Sequence, residues 1–343
     1  MKVISITNQK GGCGKTITAV NLASGLAKQG KKTLLLDLDP QSHATFSLGY
    51  KNTPPGKDIL AVFDHILQDA LLNPEEYMLE RQKNLFFIPS NMELSALEQE
   101  LSSSKYALEI IQKFINSLPQ ANWDFVIIDC PPNLGFLTIN AIKSADIILT
   151  PVDTSAFSLL GIDNLKKISS VMLNYNDKTP QFFYLVTIFD KRSNFSKNFI
   201  KIVNKNIPQG LLKTIVRNNI HLREAALLGK TIFEHNPASN GAKDYNSLAE
   251  EIIQKTKDIN AVEFSLQAPS AQRVYLVGNF TNWQKDERFA LVNKDGVWKK
   301  RVHLKKGRYL YKFIIDEEWV WDKNNPLSED DSFGSRNSVL EIN

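Results

Sequence analysis

The chain is poor in the features that would assign it to several specialised classes of protein. Its two cysteines, Cys13 and Cys130, lie far apart and form neither a disulfide framework nor a metal motif, which favours a reducing compartment. No apolar run approaches the roughly 18 residues of a membrane span, and the opening MKVISIT is strand-like rather than a secretory signal. The net charge of +4 is too small to indicate nucleic-acid binding by itself. We therefore expect a cytoplasmic protein without a membrane partner.

Motifs for metal binding and hydrolysis are also scarce. His221, His235 and His303 have no histidine or cysteine at ligand spacing, so no zinc site is expected. The nucleophile motif G-x-S-x-G is absent. A hydrophobic content of 43% in 343 residues is ordinary for a globular protein and is enough for two domains.

The first 258 residues alternate short apolar runs with helical patterns, which predicts an α/β domain with a mostly parallel sheet flanked by helices. The predicted strands are Val3–Ile6, Thr33–Leu36, Leu85–Ile88, Phe125–Ile128, Ile147–Thr150, Phe182–Thr187 and Leu212–Ile215. The predicted helices are Thr16–Gln29, Ala96–Asn116, Leu137–Ser144, Asn194–Asn204 and Ala242–Lys257.

The spacing of the apolar residues changes after about residue 260. Runs such as RVYLVGNF and YLYKFIID alternate with period two, and turn signals such as NKDG separate them. The pattern predicts a second domain over residues 262–343, an all-β immunoglobulin-like sandwich of roughly 80 residues. Its basic run KKRVHLKK, Lys299–Lys306, is predicted to be a solvated edge strand.

A phosphate loop follows the first strand. The segment GGCGKT precedes a helical pattern, and its glycines let backbone N–H groups and a helix N-terminus face phosphate oxygens. Lys15 can then reach the β- and γ-phosphates, and the Thr16 hydroxyl can ligate Mg²⁺. The sequence predicts that ATP is bound by the loop residues Gly11, Gly12, Cys13, Gly14, Lys15, Thr16 and Ile17, and that Mg²⁺ is bound at Thr16.

With the early Lys10, the pattern KGGCGKT resembles the deviant Walker A motif of the ParA/MinD class of ATPases. The segments DLDPQ, FVIIDCPPNLG and VTIFDKRSN extend the resemblance over residues 1–258. It implies a P-loop NTPase fold, a homodimer when ATP is bound, and slow hydrolysis stimulated by a partner protein. It also implies that Lys10 is a nucleotide-binding residue that reaches the partner's nucleotide and that Asp39 positions the attacking water. Asp37, Asp39 and Asp129 are expected to lie around Mg²⁺ with Thr16. Lys10, Lys15 and Asp39 are thus the predicted catalytic residues.

In this class the late segment, here TIVRNNIHLREAALLGK, contributes to a DNA-binding face. The chain departs from the pattern because His221 stands where an arginine is expected. Phosphate contacts need fixed cations, so DNA binding is open. Arg192, Arg217 and Arg223 are the candidate DNA-binding residues.

The segment VYLVGNFTNWQK resembles the carbohydrate-binding module of family 48, the glycogen-binding domain of AMP-activated protein kinase β subunits. KGRYLYKFIIDEEWVWD and DDSFGSRNSVLEI continue the match. The resemblance implies an α-glucan site in which tryptophans stack on sugar rings and polar groups hold the hydroxyls. The residues that match are Trp283, Lys312, Trp319, Phe333, Ser335 and Asn337.

The main hypothesis is an ATP-dependent dimerising switch that an α-glucan module recruits or positions. The first alternative is a DNA partition ATPase whose sandwich is a protein-interaction module. The second is a binding protein with an inactive nucleotide fold, which the intact Lys15, Thr16, Asp39 and Asp129 oppose.

Overall fold

The structure is a computed structural model that describes residues 1–51, 53–70, 72–101, 106–155, 178–206, 210–257, 260–304 and 306–342. The chain divides into two compact units, Met1–Leu165 with Gln181–Gln254 and Lys166–Pro180 with Lys255–Asn343. The domain limits expected from the sequence, 1–258 and 262–343, assign the segment 166–180 differently and stay a prediction. None of the described helices is long and apolar enough to cross a membrane.

The first unit contains one sheet with the strand order β3-β4-β2-β5-β1-β6-β7-β8. All neighbouring strands are parallel except β3 and β4, which form an antiparallel pair at one edge. The strands are β1 (Lys2–Ile6), β2 (Thr33–Asp37), β3 (Leu79–Gln82), β4 (Leu85–Ile88), β5 (Phe125–Asp129), β6 (Ile147–Asp153), β7 (Gln181–Phe189) and β8 (Leu211–Arg217).

Helices flank this sheet. They are α1 (Lys15–Lys28), α2 (His43–Ser47), α3 (Ile59–Leu67), α4 (Leu94–Leu101), α5 (Ile110–Ser117), α6 (Phe136–Ser144), α7 (Asn194–Asn206), α8 (Ile220–Leu227), α9 (Ile232–His235) and α10 (Asn240–Lys257). The single helix predicted over Ala96–Asn116 is wrong, because α4 ends at Leu101 and a 3₁₀ turn, Tyr106–Glu109, precedes α5. The apolar residues on both sides of the break concealed it.

The sheet is buried on both faces, which explains its continuously apolar strands. Along β1, Ile4 and Ile6 join the core cluster that includes α1 and α10, whereas Val3 joins the opposite cluster with α3 and α5. Side chains alternate between the faces of a strand, so both faces need apolar residues. This two-sided burial fixes the carboxyl ends of β2, β5 and β6, which are Asp37, Asp129 and Asp153, beside the end of β1 that leads into the phosphate loop.

The second unit consists of two antiparallel sheets, as the sequence predicted. One has the order β9-β12-β11, with the short segment Lys178–Thr179 paired to β12, and the other has β10-β13-β16-β15, with β14 paired to β13. The strands are β9 (Asn260–Gln267), β10 (Val274–Gly278), β11 (Val292–Lys294), β12 (Val297–Leu304), β13 (Gly307–Ile315), β14 (Glu318–Val320), β15 (Ser328–Asp330) and β16 (Arg336–Ile342). Two short 3₁₀ turns, Asn279–Thr281 and Glu287–Phe289, follow β10.

A core of aromatic and aliphatic side chains from both sheets holds this sandwich together. Phe264, Leu276 and Phe313 belong to it, and the buried Trp298 donates its indole N–H to the Ala268 carbonyl at 2.8 Å. The expectation that the basic run forms a solvated edge is wrong, because β12 is an interior strand. Lys300 is fully buried, on the same side of the strand as Trp298.

Candidate functional site

The phosphate loop occupies the connection between β1 and α1. Gly12 and Gly14 have φ angles of +75° and +90°, a region that glycine adopts without the clash a side chain would meet. A Cβ placed on Gly11 or Gly12 would have no heavy atom within 4 Å, so the loop borders open space. The backbone therefore has both the conformation and the clearance that a bound phosphate requires.

The two lysines of the loop are held differently. Lys15, the first residue of α1, is 7% exposed, and its Nζ donates to the Lys10 carbonyl at 3.1 Å. Lys10 Nζ lies 2.7 Å from both carboxylate oxygens of Asp153 and also contacts the Ser155 hydroxyl. Asp153 was not predicted from the sequence, although its position at the end of an apolar strand matches those of Asp37 and Asp129.

Asp37 and Asp129 face each other as register partners at the ends of β2 and β5. Asp37 accepts hydrogen bonds from the backbone N–H of Asp39 at 3.1 Å and from the N–H and hydroxyl of Thr45, each at 2.8 Å. Burial raises the pKa of Asp37 to about 7, because its effect outweighs that of these hydrogen bonds, which lower the pKa. Asp37 thus holds the start of the loop that carries Asp39, whose own Oδ1 accepts from Gln41 N–H at 3.0 Å.

Asp129 is the acidic residue that lacks such support. It is fully buried, and neither carboxylate oxygen has a hydrogen-bond partner within the described ranges. Burial, followed by the charge of Asp37, raises its pKa well above the ordinary range, and the nearby Thr16 hydroxyl, which makes no hydrogen bond of ordinary geometry to it, and the charge of Lys15 offset only part of that rise. A buried carboxylate without a partner is costly unless a cation compensates it. Mg²⁺, which prefers oxygen ligands and retains bound water, fits this donor set together with Thr16.

The cysteines contribute packing. Both are free and buried, and burial raises the pKa of each thiol. The Cys13 carbonyl accepts a hydrogen bond from the Thr187 hydroxyl at 2.8 Å, which connects the loop to β7. The backbone of Cys13 therefore contributes more to the position of the loop than its sulfur does.

The three arginines considered for DNA contact lie in different surroundings. Arg217 is committed to Asp244, with its Nε 3.1 Å from Oδ1 and 3.0 Å from Oδ2. Arg192 pairs with Asp190 at 3.0 Å on an exposed loop, and Arg223 is exposed on α8. Internal pairing thus already engages two of the three guanidinium groups.

In the second unit, a groove gathers all six residues of the predicted glucan site. It has a volume of 710 Å³ and is lined by Trp283, Leu310, Lys312, Trp319, Asp330, Asp331, Ser332, Phe333, Ser335 and Asn337. The rings of Trp283 and Trp319 are 6.4 Å apart with 38° between their planes. Trp319 is 49% exposed and Phe333 92% exposed. The aromatic faces are therefore accessible to a flat apolar ligand surface.

An ion pair organises the wall of this groove. Lys312 projects from β13 and contacts the Asp331 carboxylate, and both side chains are buried. Asp331 Oδ1 also accepts from the backbone N–H of Phe333 at 2.9 Å and of Ser335 at 2.7 Å. The hydrogen bond from Lys312 lowers the pKa of Asp331. Asp331, which the sequence analysis did not identify, fixes the loop that displays Phe333.

The sequence spacing predicted no neighbouring metal ligand for any of the three histidines, and this expectation is wrong for His221 and His235. His221 and His235 have ring centroids 6.0 Å apart, and Glu224 lies between them. They are 14 positions apart in sequence, and α8 and α9 fold back to bring them together. Spacing along the chain could not reveal this proximity, because the turn between the helices determines it.

Comparisons with known proteins match two parts of the chain to two different families. Residues 1–180 match the family described as AAA domain, and residues 261–343 match the family described as the glycogen recognition site of AMP-activated protein kinase. The sporulation initiation inhibitor protein Soj of Bacillus subtilis is 36% identical over 252 residues, which are 73% of this chain and 98% of Soj.

Solved structures agree with the sequence relatives. The chain is similar to cobyrinic acid a,c-diamide synthase from Mycobacterium smegmatis with bound ATP analogue and magnesium, at 27% identity and a TM-score of 0.62, covering 75% of this chain and 96% of that one. It is also similar to apo McdA from Cyanothece, at 25% identity and a TM-score of 0.63, covering 74% of this chain and 99% of that one.

Proposed function

The chain belongs to the ParA/Soj family of ATPases and carries a C-terminal glycogen-recognition module, and from this premise we propose that it is an ATP-controlled dimerising switch positioned on α-glucans. The observation that carries the proposal is the presence of two complete sites in one chain. One is a phosphate loop with an uncompensated buried carboxylate, and the other is a groove lined by all six expected sugar-contact residues.

At the first site, the backbone of Gly11–Gly14 would receive the phosphates of ATP, with Lys15 against the β- and γ-oxygens. Thr16 would ligate Mg²⁺ directly and Asp129 would hold it through water, while Asp37 keeps the Asp39 loop in place through Thr45. The metal would neutralise phosphate charge. Asp39 would orient the attacking water, so its replacement by alanine should leave ATP bound and unhydrolysed.

Lys10 would couple nucleotide to dimerisation. Within one chain its ammonium group is held by Asp153 and Ser155, on the phosphate-loop side of the sheet. On dimerisation it would exchange Asp153 for the partner's phosphate oxygens, adding charge stabilisation that a single chain lacks. An activating protein partner would then set the rate of hydrolysis and release.

At the second site, Trp283 and Trp319 would stack on glucose rings while Lys312, Ser335 and Asn337 hold the hydroxyl edges. Phe333, on its exposed loop, would insert against the curve of an α-glucan. The groove is open, so one module should bind modestly, and a dimer with two modules should bind a polymer more tightly through avidity.

The deciding experiment is co-sedimentation of the full chain with glycogen in the presence of ATP or ADP. Asp39→Ala with ATP should give the tightest association, because it holds two modules together. Trp283→Ala combined with Trp319→Ala should abolish association while ATPase activity remains. Equal association of the wild-type chain and this double variant would contradict a glucan function.

Non-specific DNA is a further candidate partner, because relatives such as ParA of Myxococcus xanthus are named as chromosome partitioning proteins. Against it stands the commitment of Arg217 to Asp244. A gel-shift assay with and without ATP distinguishes the two functions. Strong ATP-dependent DNA binding that Arg223→Ala removes would favour partition over positioning on glucans.

A further inference from the structure

A compact group of histidine and carboxylate side chains lies at the junction of α8 and α9. His221 Nδ1–H donates to Glu224 Oε2 at 2.8 Å, and His235 Nε2–H donates to the same oxygen at 3.1 Å. One ligand atom from each residue lies within 4.8 Å of the other two. Two imidazole nitrogens and one carboxylate oxygen form a donor set that zinc prefers.

Contacts outside the group hold its three members in position. His221 and Glu224 are three residues apart on α8, and His221 N–H bonds the Asn219 side chain at 2.9 Å at the start of that helix. His235 ends α9, where its N–H bonds the Thr231 carbonyl at 3.0 Å. The first turn of α9 is closed by a 2.8 Å bond from Thr231 N–H to Glu234. The side chains are therefore presented by two helix segments with defined ends.

The donor atoms already lie close to the spacing of a metal site. Zinc–ligand bonds of about 2.0–2.1 Å in tetrahedral geometry place donor atoms about 3.3 Å apart. The two observed donor separations from Glu224 are 2.8 and 3.1 Å and all three donor atoms lie within 4.8 Å of one another, so rotation of these partly exposed side chains, without movement of the helices, would direct them at one ion. Each neutral imidazole would bind the metal through the nitrogen that now faces Glu224, after its ring proton moves through solvent to the other ring nitrogen, so the step releases no net proton.

The group is also accessible. The side chains of His221 and Glu224 are 39% and 44% exposed, and that of His235 is 20% exposed, so an ion can enter from solvent without unfolding. A fourth position would remain for water. Mg²⁺ would be disfavoured, since it prefers an all-oxygen octahedral shell.

We propose that His221, Glu224 and His235 bind one divalent transition-metal ion of the Zn²⁺ type, at a site separate from the nucleotide site. The bound ion connects α8 to α9, replacing a hydrogen-bonded contact by coordinate bonds. It also adds positive charge next to the exposed Arg223, at the position where the ParA pattern has an arginine and this chain has His221.

The test is a titration of the chelator-treated full chain with Zn²⁺ in the absence of nucleotide, in competition with a chromogenic zinc indicator. Wild type should bind one equivalent. His235→Asn and Glu224→Gln should each weaken binding at least tenfold, whereas His43→Asn, which alters an exposed histidine elsewhere, should not. Co²⁺ should give an intense visible spectrum typical of tetrahedral coordination in wild type and lose it in both ligand variants.

Two further variants make the result decisive. His221→Asn provides an independent ligand removal, and circular dichroism establishes that each variant is folded. Asp129→Asn should keep zinc binding, because it alters only the nucleotide site. Failure of wild type to bind, unchanged binding in all three ligand variants, or loss of binding in Asp129→Asn alone would overturn the proposal. ATPase and glycogen binding are separate readouts, so failure here leaves the proposed function untouched.

Discussion

The phosphate loop and the aromatic groove have recognising groups of opposite physical character. In the loop the recognising groups are backbone amides and a lysine that is 7% exposed, set beside buried carboxylates at the ends of parallel strands. In the groove the recognising groups are exposed rings, with Trp319 49% and Phe333 92% exposed, displayed on the open face of an antiparallel sheet. One site uses charge in a low dielectric, and the other uses apolar surface that is available to a ligand.

This difference determines how the two sites should respond to mutation. Electrostatic interactions strengthen as water is excluded, so removal of one buried cation should have a large effect on a charged ligand. Stacking contributes in proportion to the apolar area removed from water, so each exposed ring should contribute a moderate and partly additive share. Four experiments test this contrast.

The largest effect is expected for Lys15→Ala. Loss of two charge-assisted hydrogen bonds to phosphate should cost more than about 3 kcal/mol, or at least about 100-fold in affinity. Titration with a fluorescent ATP analogue measures it. Lys28→Ala, an exposed lysine in the last turn of the same helix, is the matched control and should bind normally. Comparable ATP affinity of Lys15→Ala and wild type would show that Lys15 does not bind the phosphates.

Lys10→Ala should leave nucleotide binding to the monomer almost intact and weaken the ATP-dependent dimer. Because Lys10 gives up Asp153 to reach the partner's phosphate, each crossing contact contributes a net of about 1 kcal/mol, and a symmetric dimer loses two of them, so the dimer constant should fall about 30-fold. Sedimentation velocity with a non-hydrolysable ATP analogue measures the change. Asp153→Asn retains the Lys10 ammonium while weakening its internal partner, so this variant should dimerise at least as well as wild type. An unchanged dimer constant in Lys10→Ala would contradict the proposal that Lys10 contacts the partner's phosphate oxygens.

Two tryptophans of the sandwich allow a direct comparison of surface and core. Trp319→Ala should weaken glucan binding roughly tenfold and leave the melting temperature unchanged, because an exposed ring contributes to binding rather than to the core. Trp298→Ala should do the reverse and cost about 3–5 kcal/mol of unfolding free energy. Affinity electrophoresis in glycogen and thermal melts separate the two outcomes. A large melting-temperature loss in Trp319→Ala would assign that ring a structural role.

The sequence revealed those parts of the sites that depend on contiguous or family-patterned residues. The seven predicted strands of the sheet were found with ends shifted by up to three residues, because two-sided burial leaves unmistakable apolar runs. The loop residues and the six groove residues were likewise found from motifs. Asp153, Asp331 and Glu224 were missed, since each acts as a partner to another side chain, and the fold decides which side chains become neighbours.

The break between α4 and α5 was missed for a related reason. A helical period predicts where apolar residues would line up, and the chain over Ala96–Asn116 satisfies that period on both sides of the interruption. Short elements such as α2 and α9 were also not predicted, because helices of four or five residues are stabilised by packing rather than by propensity. Local patterns therefore predicted the longest helices, whereas α3 and α8, of nine and eight residues, and the shorter helices were not predicted.

Asp331→Asn should produce the smallest change, a loss of glucan affinity of less than about tenfold, because asparagine keeps an acceptor oxygen for the Phe333 and Ser335 N–H groups and the residue acts on the ligand only through Lys312 and this loop. Asp295→Asn, in an exposed turn of the same unit, is the control.

The dependence of wild-type glucan affinity on pH should also reveal the contact between Lys312 and Asp331. Pairing lowers the pKa of Asp331, so its stabilising effect is complete at neutral pH and is lost only as pH falls below about 4, the ordinary value for aspartate. Glucan affinity should therefore be flat from pH 8 to about pH 5 in the wild type. If affinity instead declines between pH 7 and pH 5 in the wild type and not in Asp331→Asn, the carboxylate is not held by Lys312 as the structure describes.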